Sequence, residues 1–293
     1  MPTIRSLAEV VAELRPGMNV FVPGMSGESL ALVEALKAAP EAANGVRFLG
    51  VTFPGINRSD YLGLHPAARQ RGYFMQPGLR PGLADGRAEL VPLDYPGIYR
   101  ELAAREDVDI AFAQLSPPDE NGMCSFGVAC DFQPAVWQRA KRRIAHINPR
   151  MPRTRGVFQA RYADIDIVFE HDGALLAYDG GVPNEAMRAH AQLVATLVRD
   201  GDTLEFGVGK LQAGILSALR NHRDLKVWSG MVSSPVLELL DSGAIAGTQA
   251  INVGVALGDA TLYERCARDE AFYFRPVSET HHVPRIAAIP NYC

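Results

Sequence analysis

The sequence has no run approaching the ~18 consecutive apolar residues of a membrane span, and no basic segment leading into an apolar run at its start. Neither an embedded nor a secreted protein is expected, and the expectation is a cytoplasmic one. Cysteine is scarce: Cys124, Cys130, Cys266 and Cys293 are the four. Their spacings fit no zinc pattern, and four in 293 residues do not make a disulfide framework. Nothing calls for a metal or a redox cofactor. Blocks of one charge sign are also missing. The net charge is −4 with Lys and Arg scattered, so neither nucleic acid nor an anionic membrane is an expected partner. The densest basic cluster, residues 139–143, follows Trp137 and reads as a solvated helix end.

Two stretches echo each other. LAEVVAELRPGMNVFVPGMSGESLALVEALKAA, near the N-terminus, places Leu7, Val10, Val11 and Leu14 at helical spacing. Pro16-Gly17 ends that helix, Val20-Phe21-Val22 is a β-rich run, and Gly24 and Gly27 open a second helix. HAQLVATLVRDGDTLEFGVGKLQAGILSALRNH, residues 190–222, repeats the order. Leu193, Val194 and Leu197 mark a helix, Asp200-Gly201 a turn, Leu204-Glu205-Phe206 a strand, and Gly207 and Gly209 a second glycine turn into a helix. Between the echoes, strands are expected at 46–51, 108–115, 141–147 and 165–169. Strands alternating with helices predict an α/β fold with mostly parallel sheets in two tandem domains. The glycine-rich stretch 172–184 is the expected linker, giving domains 1–182 and 183–293.

Several motifs bear on chemistry. GVGKL, residues 207–211, is a glycine turn into a helix. It is either structural or a cradle for phosphate groups, with Lys210 adding a positive charge. GMSG at 24–27 is a poorer candidate, because Glu28 follows it and repels an anion. SPPDENGMCSFGVACD at 116–131 reads as a rigid loop built from two turns. NPRMPRTRG carries Arg150, Arg153 and Arg155 and reads as a solvated loop. Glu170-His171-Asp172 reads as an exposed strand end, since neighbours on a strand face opposite ways. His281 and His282 lack a third ligand at metal spacing and read as surface residues. VWSGMVSSPVLELLDSG, residues 227–243, reads as a strand end, a turn and a helix, with Ser229, Gly230 and Met231 at the tip.

In combination these stretches resemble the acetyl-CoA hydrolase/transferase family, which includes 4-hydroxybutyrate and butyryl/acetate CoA-transferases. SPPDENGMCSFG, AHINPRMPRTRG, DIVFEHD and LEFGVGKLQAGILSALRNHRDLKVWSGM occur in the family's order, and the resemblance covers nearly the whole chain. It implies two tandem class I CoA-transferase-like domains. It implies CoA or acyl-CoA and a small carboxylate as reaction partners, with homo-oligomers common. In the implied mechanism a glutamate attacks the acyl-CoA thioester and then carries CoA as a glutamyl thioester to a carboxylate or to water. Gly207, Val208, Gly209, Lys210 and Leu211 match the family's CoA-contacting loop.

The nucleophilic glutamate of the family lies in a motif resembling H-S-E-M. Its counterpart here is Trp228-Ser229-Gly230-Met231, which puts Gly230 at the nucleophile's position. Three expectations follow from the resemblance. Another group nearby, Ser229, Ser233 or Glu205, or a bound water replaces the glutamate. Or the chain binds CoA without turnover, alone or as a subunit of a hetero-oligomer. Or the second domain is a shortened one that a partner chain completes, the stretch 285–289 being its last strand.

Overall fold

Ser6 opens the first helix with a reciprocal cap. Its hydroxyl accepts from the Glu9 amide, and the Glu9 carboxylate accepts from the Ser6 amide at 2.8 Å. In the computed structural model, which describes residues 1–293, this helix is the first of a series alternating with strands. The strands of the first half are β1 (Thr3–Ile4), β2 (Asn19–Phe21), β3 (Arg47–Gly50), β4 (Arg69–Gly72), β5 (Ala88–Leu90), β6 (Ile110–Leu115), β7 (Met123–Ser125), β8 (Arg142–Ile147), β9 (Gln159–Arg161) and β10 (Ile167–Glu170). The helices are α1 (Leu7–Val11), α2 (Leu30–Ala38), α3 (Leu79–Asp85), α4 (Tyr95–Ala104) and α5 (Gln133–Trp137).

Eight of these strands form one sheet in the order β1-β10-β8-β6-β2-β3-β4-β5, with every neighbouring pair parallel. A parallel sheet is covered on both faces, which is why β6, IAFAQL, is buried at every position. Val20, Phe48, Ile110, Phe112, Ile144 and Phe169 join one core. The chain leaves β2 toward β3 on one side and later returns to β6 on the other, so strand order reverses between β2 and β6. β7 and β9 pair separately as an antiparallel ribbon.

The second half adds β11 (Thr203–Leu204), β12 (Lys226–Ser233), β13 (Ile251–Leu257) and β14 (Phe272–Phe274) in a four-stranded parallel sheet of that order. Its helices are α6 (Glu185–Ala195), α7 (Lys210–Ala218), α8 (Val236–Asp241), α9 (Ala260–Arg268), α10 (Val277–Thr280) and α11 (Val283–Ala287). The chain separates into two compact units that change over between Leu176 and Ala177. Val128–Asp131 and Thr154–Val157 belong to the second unit. Within it the Cys130 amide donates to Gly254 O at 2.9 Å, and the Phe274 amide to Arg155 O at 2.8 Å.

The two α/β units with parallel sheets are those the sequence led to. Four local readings change. Residues 285–289 are not a strand: Pro284 stands in the first turn of α11, and the two alanines of RIAAI favour helix over sheet. Residues 229–231 are not at a turn but inside β12, because the β-rich run continues through Gly230 and the turn comes only at Ser234-Pro235. The basic cluster 139–143 is no helix end; α5 stops at Trp137, and Arg142 and Arg143 begin β8, paired with Glu13 and Asp166. Leu193 of α6 and Leu197, two residues past its end, are outside, at 69% and 77% exposed. The packed side carries Ala191 and Ala195, and a Cβ on Gly214 of α7 would lie 3.4 Å from Ala191 Cβ, in ordinary contact.

Candidate functional site

In open parallel sheets ligands bind beyond the carboxyl ends of the strands. The second unit has a cavity of about 470 Å³ there. Ser233 and Leu257, the last residues of β12 and β13, form its floor. Gly209 and Ala213 of the α7 start, residues 178–181, Glu238 and Asp259 complete it. Gly209 opens α7 at φ +121°, a conformation side chains rarely allow, and no side chain caps the first amides of the helix. Those amides have no intrahelical acceptor and remain available to a ligand. Lys210 is exposed, with its aliphatic stem over Gly181. Of the five residues 207–211, Gly209 lines the cavity wall; Val208 and Leu211 are half-buried, and Gly207 and Lys210 face solvent. Asp259 accepts from Leu262 N and Asp179 from Gly181 N, so both carboxylates serve as local caps.

Gly230 lies on the face of β12 that also carries Trp228, and α10 and the residue after it pack there. The Trp228 indole donates to Thr280 O at 3.0 Å. His281 Cε1 stands 2.7 Å, and Nε2 3.2 Å, from where a Cβ on residue 230 would be. The imidazole therefore fills the space that a side chain at 230 would enter. His281 is half-buried rather than a surface residue, with Nδ1 2.9 Å from Thr280 Oγ1. Its exposed neighbour His282 remains a surface residue.

The other reactive candidates are dispersed. Ser229 is 1% exposed, and its Oγ lies 2.9 Å from Met231 O and 3.1 Å from Phe206 O. Glu205 is exposed and accepts from the Tyr292 hydroxyl at 2.9 Å. Ser233 lines the cavity with no basic side chain hydrogen-bonded to it. The arginines of NPRMPRTRG are engaged within the protein: Arg150 with Asp172, Arg153 with Asp119, and Arg155 with the carbonyls of Ala267 and Asp269. Asp119 ties the SPPDENG loop together by accepting from the Asn121 and Met123 amides, and these bonds with Arg153 hold its carboxyl below the usual range. Burial pushes the Cys124 thiol up to about 11 and raises Cys130 and Cys266 as well, so none is a ready thiolate. All four cysteines are free. No group of three or more His, Cys, Asp or Glu is placed to hold a metal, and no helix is long and apolar enough to cross a membrane.

A buried polar cluster at the order reversal of the first sheet was not legible beforehand. Glu28, 1% exposed, accepts from Tyr61 OH at 3.3 Å through Oε1, while Oε2 has no partner. Burial raises its pKa above the ordinary carboxylate value. Gln114 donates to Glu28 O, and Asn148 donates to Gln114 Oε1 at 2.8 Å. Beside them His146 Nε2 lies 2.8 Å from His171 O, so that nitrogen carries the proton and Nδ1 accepts from Ser29 Oγ at 2.9 Å. Burial pulls the His146 pKa down to about 4. The signal was in the sequence: Glu28 and Ser29 follow a strand-ending glycine turn, where strand-end chemistry collects.

The sequence profile of the acetyl-CoA hydrolase/transferase N-terminal domain matches residues 3–178. The chain is 32% identical over 240 residues to the 4-hydroxybutyrate coenzyme A transferase of Clostridium kluyveri, covering 81% of this chain and 56% of that one. It is 26% identical over 301 residues to the succinyl-CoA:cyclohexane-1-carboxylate CoA transferase of Geobacter metallireducens, covering 98% and 67%. It spans about half the length of two further CoA transferases. RipA from Yersinia pestis shares the fold with a TM-score of 0.89 at 22% identity, over 99% of this chain and 72% of that one. The profile spans most of the first unit, and with it the sheet and the loops described above: this chain belongs to the acetyl-CoA hydrolase/transferase family.

Proposed function

We propose that the chain recognises CoA or an acyl-CoA through the turn Gly207–Leu211, in the service of the CoA-transferase and acyl-CoA hydrolase chemistry of its family, and that it does not use a glutamyl intermediate at residue 230. The observation carrying this reading is the cavity beyond β12 and β13, with the uncapped start of α7 on its wall. The pantetheine arm of CoA is neutral and rich in amide and hydroxyl donors. Ser233, Glu238 and the carboxylates of Asp179 and Asp259 are acceptors for such donors. Lys210, exposed at the same helix start, suits the phosphates outside.

His281 supports the second half of the reading. A glutamate at 230 would bring its Cβ against the imidazole, and four further heavy atoms would follow. A carboxylate at 230 would require the His281 ring to swing aside, and Gly230 itself offers no group to form the anhydride of the family's mechanism.

Calorimetric titration with CoA, and acyl exchange between butyryl-CoA and acetate followed by mass spectrometry, test both halves. The unaltered protein is expected to bind CoA, Lys210→Ala to bind it roughly three- to tenfold more weakly, and Gly209→Val to lose it. Exchange is expected from neither the unaltered protein nor Gly230→Glu. The double variant Gly230→Glu/His281→Ala has room for the carboxylate and is the one expected to turn over. Exchange by the unaltered protein would overturn the glutamyl-free reading. Absence of CoA binding would overturn the first half.

A further inference from the structure

Gly230 has a second glycine opposite it. Ser229 pairs with Val253 and Met231 with Val255, which puts Gly254 of β13 beside Gly230 on the same face of the sheet. Two side chains are thus missing from adjacent positions, and two other parts of the second unit come close instead. Over Gly254 runs the tetrapeptide Val128–Asp131. Its Cys130 amide donates to Gly254 O, and Asp131 Cβ stands 3.6 Å from where a Cβ on Gly254 would be. Over Gly230 stands the His281 imidazole, with Nε2 3.2 Å from the corresponding position. Gly230 and His281 are both half-buried, so solvent reaches the pair.

The chain on either side of the ring is anchored. The Arg275 guanidinium lies over the Trp228 and Tyr273 rings, 5.1 and 4.6 Å from their centroids. It donates to Asn252 Oδ1 at 2.7 Å and to Glu279 Oε2 at 2.6 Å. Arg285 donates to the same Glu279 oxygen at 3.0 Å. Residue 281 therefore sits between two tied points, Glu279 and Arg285. Thr280 fixes the tautomer. Its hydroxyl donates to Pro276 O at 3.4 Å, one helical turn back. With its single proton so placed, it accepts from His281 Nδ1 at 2.9 Å. In the neutral ring Nδ1 then carries the proton, and Nε2, the nitrogen beside Gly230, carries the lone pair.

We propose that His281 is a general base that hydrolyses acyl-CoA directly with water, acting from the place a nucleophilic side chain at 230 would occupy. This role rests on the acyl-CoA reading above and supplies the group that a chain with glycine at 230 needs. Water at Nε2 attacks the thioester carbonyl carbon. As the C–O bond forms, a water proton passes to Nε2; as the tetrahedral intermediate collapses, the C–S bond breaks. The proton then moves from Nε2 to the CoA thiolate, which restores the neutral ring and leaves a carboxylic acid and CoA. No bond to the protein forms at any stage. The chemistry of the base selects the reaction. An imidazole has a proton to take from water and none to take from a carboxylate acceptor, so it promotes hydrolysis and not exchange.

The probes are butyryl-CoA and S-butyryl-N-acetylcysteamine, a thioester without the nucleotide, each given to the full chain and followed as free thiol product by chromatography. The unaltered protein is expected to cleave butyryl-CoA faster than buffer does. His281→Asn is expected to lower that rate by at least about a hundredfold, or to background, while CoA binding by calorimetry stays unchanged. Thr280 acts through the ring: Thr280→Val keeps the shape but removes the acceptor of Nδ1. It is expected to cost at least about tenfold in kcat with KM unchanged, and Thr280→Ser to recover most of the loss. The mass of the intact protein is expected to stay unmodified during turnover. A protein carrying an acyl or CoA adduct, cleavage untouched by His281→Asn, or no cleavage by a protein that binds CoA overturns the proposal. In a protein that fails to bind CoA, His281-dependent cleavage of the cysteamine thioester supports the base and overturns the CoA turn alone, and absence of that cleavage overturns both.

Discussion

Between β2 and α2 the glycine turn is filled; between β11 and α7 the corresponding turn stays open. In the first, a Cβ on Gly24 would lie 1.9 Å from Val51 O. Met25 is held by Asn57 at φ +50°, Ser26 and Glu28 are buried, and the Ser29 hydroxyl caps the helix by accepting from Leu32 N. In the second, nothing stands within 4 Å of a Cβ on Gly207, and Gly209 starts α7 without a side-chain cap. One backbone device, repeated in a single chain, has been used in two ways. The first turn satisfies its donors internally and becomes part of the core. The second leaves its donors at the wall of a cavity. The residue at the helix start decides which: serine brings its own acceptor, and glycine waits for one.

The comparison breaks most easily at Gly24. Gly24→Ala is expected to abolish cooperative unfolding in urea or to cost at least about 3 kcal/mol, because the clashing atom is backbone. The polar groups near the filled turn sharpen it through pH. His146 titrates near 4 in the folded protein against an ordinary 6.5, so the unfolded chain takes up a proton first. Stability is therefore expected to fall as pH drops from about 6.5 toward 4, by up to roughly 3 kcal/mol, and His146→Gln to remove that slope. Glu28 has the opposite sign. Its raised pKa keeps a proton that the unfolded chain releases above about 4.5, so its contribution declines as pH rises through that window toward the raised value. Glu28→Gln is expected to remove a slope of at most about 1.4 kcal/mol per pH unit, measured by urea unfolding from pH 4.5 to 7. The smallest effect belongs to the open turn: Gly207→Ala is expected to change stability by no more than about 0.5 kcal/mol in the same assay.

Much of the fold could be read in advance because its signals are local. Val46–Val51, Val108–Leu115 and Ile165–Phe169 are apolar runs bounded by turn residues, and each holds a strand of the first sheet. Gly17 and Gly201 have φ of +87° and +84°, where the echo places its turns. What misled depends on partners far along the chain. Leu193 and Leu197 have helical spacing, yet which side of α6 packs is set by Ala191 meeting Gly214. His281 was unremarkable until the fold brought it over Gly230, fifty-one positions earlier by number. The turn 207–211 is a candidate by sequence, whereas the orphaned Gln76 amide donor of the first unit belongs to no motif at all. Only the meeting of β4 with the start of α3 sets it at a cavity.

The tetrapeptides Val128–Asp131 and Thr154–Val157 have a consequence for how the chain folds. They are made early, yet they hydrogen-bond with β13 and β14, which are made late. The second unit is a discontinuous domain, and its completion waits for loops to close over more than a hundred intervening residues. Such non-local pairing is slow to form, and loop-closure entropy sets much of its barrier. During synthesis the first sheet can assemble before β13 and β14 exist for these tetrapeptides to pair with. A fragment cut at the glycine-rich stretch would carry all four strands of the second sheet but lack the early segments that pair with two of them.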